Sequence, residues 1–284
     1  MEPITKQKSS CPTEEAGITQ STKRVAVVTG SNKGIGLEIC RQLASNGVIV
    51  ILTARDENQG LEAVQNLKAR GQSDILFHQL DVTSQTSIAS LAEFIKTKFK
   101  KFDILAFRNE NNPNTTMQVN NAGVSGTTIA PEPISNEKTK KELSDIESLT
   151  VEKVDELVQE FAKDFKEDTP ESRGWPINFA PYIVSKAALN GYTRVLAKNY
   201  PNMAINAVSP GFVKTDLNHN TGILTVEQGA KGPVMLALVP DGGPSGLFYD
   251  QMEVSTFLTR NVIKLRKFIC SLLRFHERKE ISYA

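Results

Sequence analysis

Apolar positions along this chain fall into two alternating rhythms. Val25, Ala26, Val27 and Val28 form a short, wholly apolar run, the pattern of a strand covered on both faces, and glycines follow it. Beyond the glycines Ile35, Ile39 and Leu43 recur at helical spacing as far as Gly47, a C-terminal stop, and Val48 to Leu52 is a second apolar run. That is a strand–helix–strand unit. The alternation continues with Leu61, Val64 and Leu67 on a helix, Ile75 to Leu80 on a strand, and Ile88, Leu91, Ile95 and Phe99 on another helix. The expectation is an α/β fold, a doubly wound parallel sheet of Rossmann type with helices on both faces. A chain of 284 residues suits one such domain.

The middle of the chain is less regular. Phe102 to Leu105 reads as the start of a fourth strand, but Asn109 to Asn114 is polar and contains a proline, which a central strand does not tolerate. Strand character resumes at Val119. Removing about Ala106 to Gln118 would join Ile104-Leu105 to Val119-Asn120-Asn121 in one strand, so that stretch reads as an insertion. From Ser135 to Lys166 the charge density predicts two surface helices. Ser144 and Glu147 have the spacing of a capping box, and Val151, Val154, Leu157, Val158, Phe161 and Phe165 form an apolar stripe that packs on the domain surface. Ala204 to Ser209 is a further strand.

The polar, aperiodic stretch 1–22 reads as a flexible tail, and the domain is expected over 23–257. Residues 258–284 form a basic amphipathic extension, its seam running through Leu258, Val262, Leu265, Ile269 and Leu272. Lys and Arg total 33 against 32 Asp and Glu, which gives no electrostatic reason to bind nucleic acid and favours a small-molecule partner. Cys11, Cys40 and Cys270 lack the spacing of a metal knuckle or disulfide framework, so a reducing compartment is expected. The first residues lack the apolar run of a secretory signal and no stretch reaches transmembrane length, so the expectation is cytoplasmic, without stable membrane insertion. His78, His219 and His276 are too scattered to hold a metal.

Candidate chemistry begins after the first strand. Gly30, Asn32, Lys33, Gly34, Ile35 and Gly36 join it to the first helix, where backbone amides and the helix dipole favour a pyrophosphate. About 20 residues further on, where an acidic residue would hold the ribose hydroxyls of NAD, this chain has Arg55. Arg55 and Lys33 are placed to clamp a 2′-phosphate, which favours NADP, although each is also readable as a solvated charge.

These glycines, Asp81-Val82, Asn120-Asn121-Ala122-Gly123, Tyr182-x-x-x-Lys186 and Pro210-Gly211 with Thr215 occur in the order found in short-chain dehydrogenase/reductases. The resemblance covers about Lys23 to Phe257. It is nearest to the plant menthone, neomenthol and salutaridine reductase group, given the helical insert before Tyr182 and the run Gly211-Phe-Val-Lys-Thr-Asp216. The resemblance implies a cytosolic, monomeric NADPH-dependent reductase of a small ketone or its alcohol. It places Asp81 and Val82 beside the adenine, Asn120 at the cofactor edge, and Pro210, Gly211, Val213 and Thr215 along the nicotinamide. Tyr182 would be the general acid and Lys186 would hold the nicotinamide ribose. Four residues apart on a helix, the two share a face, so the ammonium lowers a phenol pKa that is ordinarily about 10.

The pattern breaks between Gly123 and Tyr182. The family carries there a further helix and a strand ending in a catalytic serine, and neither is found in this sequence. Ser125, Ser135, Ser144 and Ser172 follow no apolar strand and read as surface or capping residues. One helix and one strand of the family pattern are therefore expected to be missing. Together with the insertion and the extension, this is the pattern of an alternative splice form or an imperfect gene model. The competing expectations are a working reductase, a non-catalytic or impaired NADP-binding variant, and a chain that does not fold stably.

Overall fold

The computed structural model describes residues 23–100, 103–106, 117–119, 134–176 and 180–255. Its strands are β1 (Val25–Val28), β2 (Ile49–Ala54), β3 (Ile75–Gln79), β4 (Ile104–Ala106), β5 (Met117–Val119), β6 (Ala204–Ser209), β7 (Phe248–Asp250) and β8 (Glu253–Ser255). They lie in one sheet in the order β3-β2-β1-β4-β5-β6-β7-β8. Every pairing is parallel except that of β8, which returns antiparallel to β7 at the edge. The helices are α1 (Gly34–Ser45), α2 (Glu57–Ala69), α3 (Gln85–Phe99), α4 (Glu137–Ser144), α5 (Val151–Lys166), α6 (Ala180–Asn199) and α7 (Val226–Ala237).

Strand alternation divides β1 between two cores. Ala26 and Val28 pack with Ile39, Cys40 and Leu43 of α1, Val64 and Leu67 of α2 and Val234 of α7. Val25 and Val27 face the other way, onto Leu91 and Ile95 of α3. On that second side α6 covers β6 through Tyr192, Leu196 and Ile205. The doubly wound expectation is met. The end of α1 also falls where its sequence put it, since Asn46 is the C-cap and Gly47 follows with a left-handed φ of 76°.

Two expectations are corrected. Ala106 to Gln118 is not an insertion within one strand, because Ala106 completes β4 whereas Met117 and Gln118 open a separate strand, β5. β5 pairs with β4 on one side (Ile104 with Met117) and with β6 on the other (Met117 with Ala204). An empty place between β4 and β6 would leave two rows of backbone N–H and C=O groups unpaired in the sheet interior, and β5 satisfies them. The sheet is thus continuous from β3 to β8. Ser144 and Glu147 do not form a capping box. Ser144 ends α4 and its hydroxyl donates to the Lys140 carbonyl at 2.6 Å, and α5 begins after Thr150, whose side chain accepts from the Lys153 N–H.

The two helices expected over Ser135 to Lys166 are present as α4 and α5. They pack on α6 through Leu143, Val154, Leu157, Phe161 and Val184, closed by Trp175. Val158 and Phe165 of the expected stripe stay exposed, with Phe165 resting against Phe161 at a ring distance of 5.6 Å. Trp175 donates its indole N–H to the buried Asp164 carboxylate at 2.8 Å. Arg194 of α6 reaches the Leu143 and Ser144 carbonyls, and Lys198 donates to the Glu147 carbonyl at 2.6 Å. These two cations occupy the carbonyl end of α4 and the turn that follows, where the helix dipole favours positive charge.

Candidate active site

In a doubly wound sheet of order 3-2-1-4 the chain reverses direction between β1 and β4, and ligands bind beyond the carboxyl ends of the strands at that point. The loop from Thr29 to Lys33 leaves β1 at this end. Gly30 has φ +57° and Gly34 φ +59°, a backbone region that side chains disfavour. Ser31, between them, is fully buried. Its hydroxyl donates to the Val28 carbonyl at 2.6 Å and accepts from the Thr53 N–H at 3.0 Å, and the Thr53 hydroxyl donates to the same Val28 carbonyl at 3.0 Å. The Ser31 N–H bonds to the Thr53 carbonyl at 2.9 Å. These bonds fasten the loop to the end of β2. The Cys40 thiol packs against the same network, and burial pushes it up to about 12, with the Ser31 hydroxyl a smaller opposing influence.

The residues present fit a pyrophosphate. The N-cap of α1 is Lys33, which makes no side-chain capping bond, and the first turn holds no acidic residue. The helix opens with two glycines, Gly34 and Gly36. A Cβ on Gly30 would meet nothing within 4 Å, so the backbone is open to an approaching anion.

Around that cradle the structure places the remaining predicted residues. Arg55 is exposed just beyond β2, and its carbonyl accepts from Gln79 at 2.8 Å. Asp81, after β3, has its carboxyl held below the usual range by the Thr83 N–H and hydroxyl, with the Arg55 charge adding to the effect. Val82 is half-buried beside it. The Asn32 amide donates to Gln59 at 2.9 Å. Lys33 is paired with an acid. Its ammonium lies 3.0 Å from Asp216 on the opposite wall of the cleft.

That wall is the segment after β6. Pro210 and Gly211 are half-buried, and Val213 is buried against Gly229 of α7 and bridges to Leu224. Thr215 caps a short 3-10 turn, Asp216–Asn218. Asn218 pins the turn, accepting from the Thr215 N–H at 3.1 Å and donating to the Val213 carbonyl at 2.8 Å. A Cβ on Gly34 would lie 3.7 Å from Thr215, so the two loops face each other closely.

Helix α6 runs into β6 through a four-residue turn, 200–203, so its first turns lie over the carboxyl end of the sheet. Positions 182 and 186 are there, one helical turn apart, and Lys186 is half-buried. The Tyr182 side chain and all of Asn120 and Ser125 fall outside the described residues. Ser135, Ser144 and Ser172 each donate to a carbonyl, of Gly174, Lys140 and Thr169 respectively, and all three are exposed. Among the described residues no group of three metal-ligating side chains occurs, and no helix is long and apolar enough to cross a membrane.

Sequence reasoning assigned no individual role to Ser31, Thr53 or Asp216, and did not foresee that Asn218 pins the turn. The available signal was weak: a hydroxyl at the end of an otherwise apolar strand, and polar residues beside the Pro210 to Thr215 motif.

A profile of the family described as short chain dehydrogenase matches residues 24–170 and 171–223. The chain is 45% identical over 299 aligned positions to a short-chain dehydrogenase/reductase of Saponaria officinalis, covering 86% of this chain and 99% of that one. It is 41% identical to a (+)-neomenthol dehydrogenase of Arabidopsis thaliana, over 84% of this chain and 100% of the relative. Salutaridine reductase from Papaver somniferum superposes with a TM-score of 0.71 at 37% identity, over 80% of this chain and 99% of that structure. Since 86% of 284 residues falls well short of 299 positions, the Saponaria protein carries several tens of residues with no counterpart here. Fold, ordered motifs and relatives together assign the chain to the short-chain dehydrogenase/reductases, nicotinamide-dependent oxidoreductases, within the plant group that holds neomenthol dehydrogenase and salutaridine reductase.

Proposed function

We propose that this chain is an NADPH-dependent carbonyl reductase that interconverts a small ketone and its alcohol, with Tyr182 as proton donor. The observation that carries the reading is the course of α6, whose backbone sets positions 182 and 186 one turn apart at the same end of the sheet as the glycine loop and Thr215. Bound NADPH supplies the hydride. The protein's own residues bind, orient and move the proton. The α1 amides over Gly34, Ile35 and Gly36 hold the pyrophosphate, with Gly30 and Asn32 shaping the loop. Asp81 and Val82 flank the adenine, and Arg55 and Lys33 receive the 2′-phosphate. Asn120, Pro210, Gly211, Val213 and Thr215 complete the nicotinamide side. Lys186 holds the ribose and, as a cation one turn from the phenol, lowers its pKa, so that Tyr182 protonates the forming alkoxide near neutral pH. On this reading the working unit is 23–257, a cytoplasmic monomer, with 1–22 and 258–284 as appendages.

One observation favours a second reading, reduced turnover. A serine-bearing strand that precedes α6 in the family pattern would lie between β4 and β6, and here β5 holds that place and runs into Asn120-Asn121. The test of the main reading is NADPH-driven reduction of a panel of cyclic ketones. Tyr182→Phe is expected to lower the rate about 100- to 10,000-fold, the span of general-acid catalysis, while NADPH affinity stays within about twofold. An unchanged rate would mean that another group supplies the proton.

A further inference from the structure

Lys33 and Asp216 are separated by 183 positions in sequence, and their ion pair joins the loop after β1 to the turn after β6. The two side chains are 66% and 68% exposed, so water screens the pair and it is easily exchanged. The partners differ in freedom. Asp216 opens a turn whose backbone Asn218 fixes from both sides, whereas Lys33 carries its charge on a flexible four-carbon stem. The reading given above, on which this inference rests, asks Lys33 to turn to the 2′-phosphate of NADPH. Two anions that share one ammonium at hydrogen-bond distance lie within about 6 Å of each other and repel.

We propose that Asp216 sets cofactor discrimination. By holding Lys33 and by repelling a phosphate drawn to it, Asp216 lowers the affinity for NADPH and leaves that for NADH unaffected. The preference that Arg55 and Lys33 create is thereby narrowed. A purely structural clasp would behave differently, because NADPH and NADH share the pyrophosphate, ribose and nicotinamide, and loosening the cleft would move both affinities together.

The experiment is fluorescence titration of the full-length protein, Asp216→Asn, Asp216→Glu and Lys33→Met with NADPH and with NADH, after a thermal melt shows each variant folded. Asp216→Asn is expected to bind NADPH about two- to fivefold more tightly, the range set by an exposed ion pair, with NADH unchanged. Asp216→Glu, which keeps the charge, is expected to stay near the unaltered protein. Parallel shifts for both nucleotides in Asp216→Asn, no shift, or weaker NADPH binding would overturn the proposal, and the cofactor reading would survive if Lys33→Met weakens NADPH selectively. If Lys33→Met leaves the NADPH to NADH ratio unchanged, Lys33 is no phosphate ligand and both fall.

Discussion

Replacing Ser31 by alanine tests whether the glycine loop is held by the buried hydroxyl network or merely lies against it. Both Ser31 and Thr53 are fully buried, so water cannot replace a lost partner. The substitution removes the acceptor of the Thr53 N–H, at 3.0 Å, and a donor to the Val28 carbonyl, at 2.6 Å. The carbonyl keeps the Thr53 hydroxyl at 3.0 Å, and the Thr53 carbonyl keeps the Ser31 N–H at 2.9 Å. Two hydrogen bonds of the buried network are lost, each worth about 0.5–1.5 kcal/mol. Thr53→Val is the matched control. It removes one hydroxyl donor but leaves the Val28 carbonyl bonded to Ser31, so only a net hydrogen bond is lost, about 0.5–1.5 kcal/mol. For a domain of this size a loss of about 2 kcal/mol lowers the melting midpoint by about 4–8 °C. Urea unfolding followed by circular dichroism should show Ser31→Ala less stable than Thr53→Val, with the slope m unchanged in both. Equal stability of the two variants, or a Ser31→Ala midpoint matching the unaltered protein, would refute the assignment of the loop's rigidity to this serine.

Cys40 gives a pH-dependent prediction. Its thiol is pushed from an ordinary 9.0 up to about 12 in the folded state, so between those values the unfolded chain releases a proton that the folded chain retains, and stability falls as pH rises. The contribution is intact below pH 9 and declines by about 1.4 kcal/mol per pH unit above it. Between pH 8.5 and 10.5 the unaltered protein should lose about 2 kcal/mol more than Cys40→Ala in urea unfolding, and equal losses would count against a buried, protonated thiol. Turnover tests the second functional reading. Loss of one donor to a developing oxyanion typically costs about 100- to 1,000-fold, so kcat is expected to fall that far below that of the Saponaria relative assayed alongside. A comparable kcat would show that another donor serves.

Much of the architecture could be read from neighbours along the chain, because the periodicities that distinguish strand from helix are local. Val25 to Val28, the helical spacing of Ile35, Ile39 and Leu43, the stop at Gly47 and the two helices before α6 all follow from residues within two to four positions of one another. Short patterns likewise set the glycine loop, Arg55 and Asp81 at strand ends and positions 182 and 186 one helical turn apart, since each is tied to one strand end or one helix face. The same locality explains the misreading of Ser144 and Glu147, whose spacing suits a capping box although the N-cap of the helix, Thr150, lies six residues beyond Ser144.

What depended on tertiary structure was every choice made between segments far apart in sequence. Whether Met117–Val119 continues β4 or lies beside it is decided by the unpaired backbone of β4 and β6, which no local pattern records. Ser31 acquires its role only when Thr53 arrives from β2, 22 positions away, and Trp175, in the segment after α5, meets Asp164 of α5 only in the folded chain. The partner of Lys33 is the furthest example. A lysine in a glycine loop reads as a phosphate ligand by its own motif, but the carboxylate that pairs with it comes from beyond β6, brought there by the parallel order of the sheet, which sets the carboxyl ends of β1 and β6 along one rim.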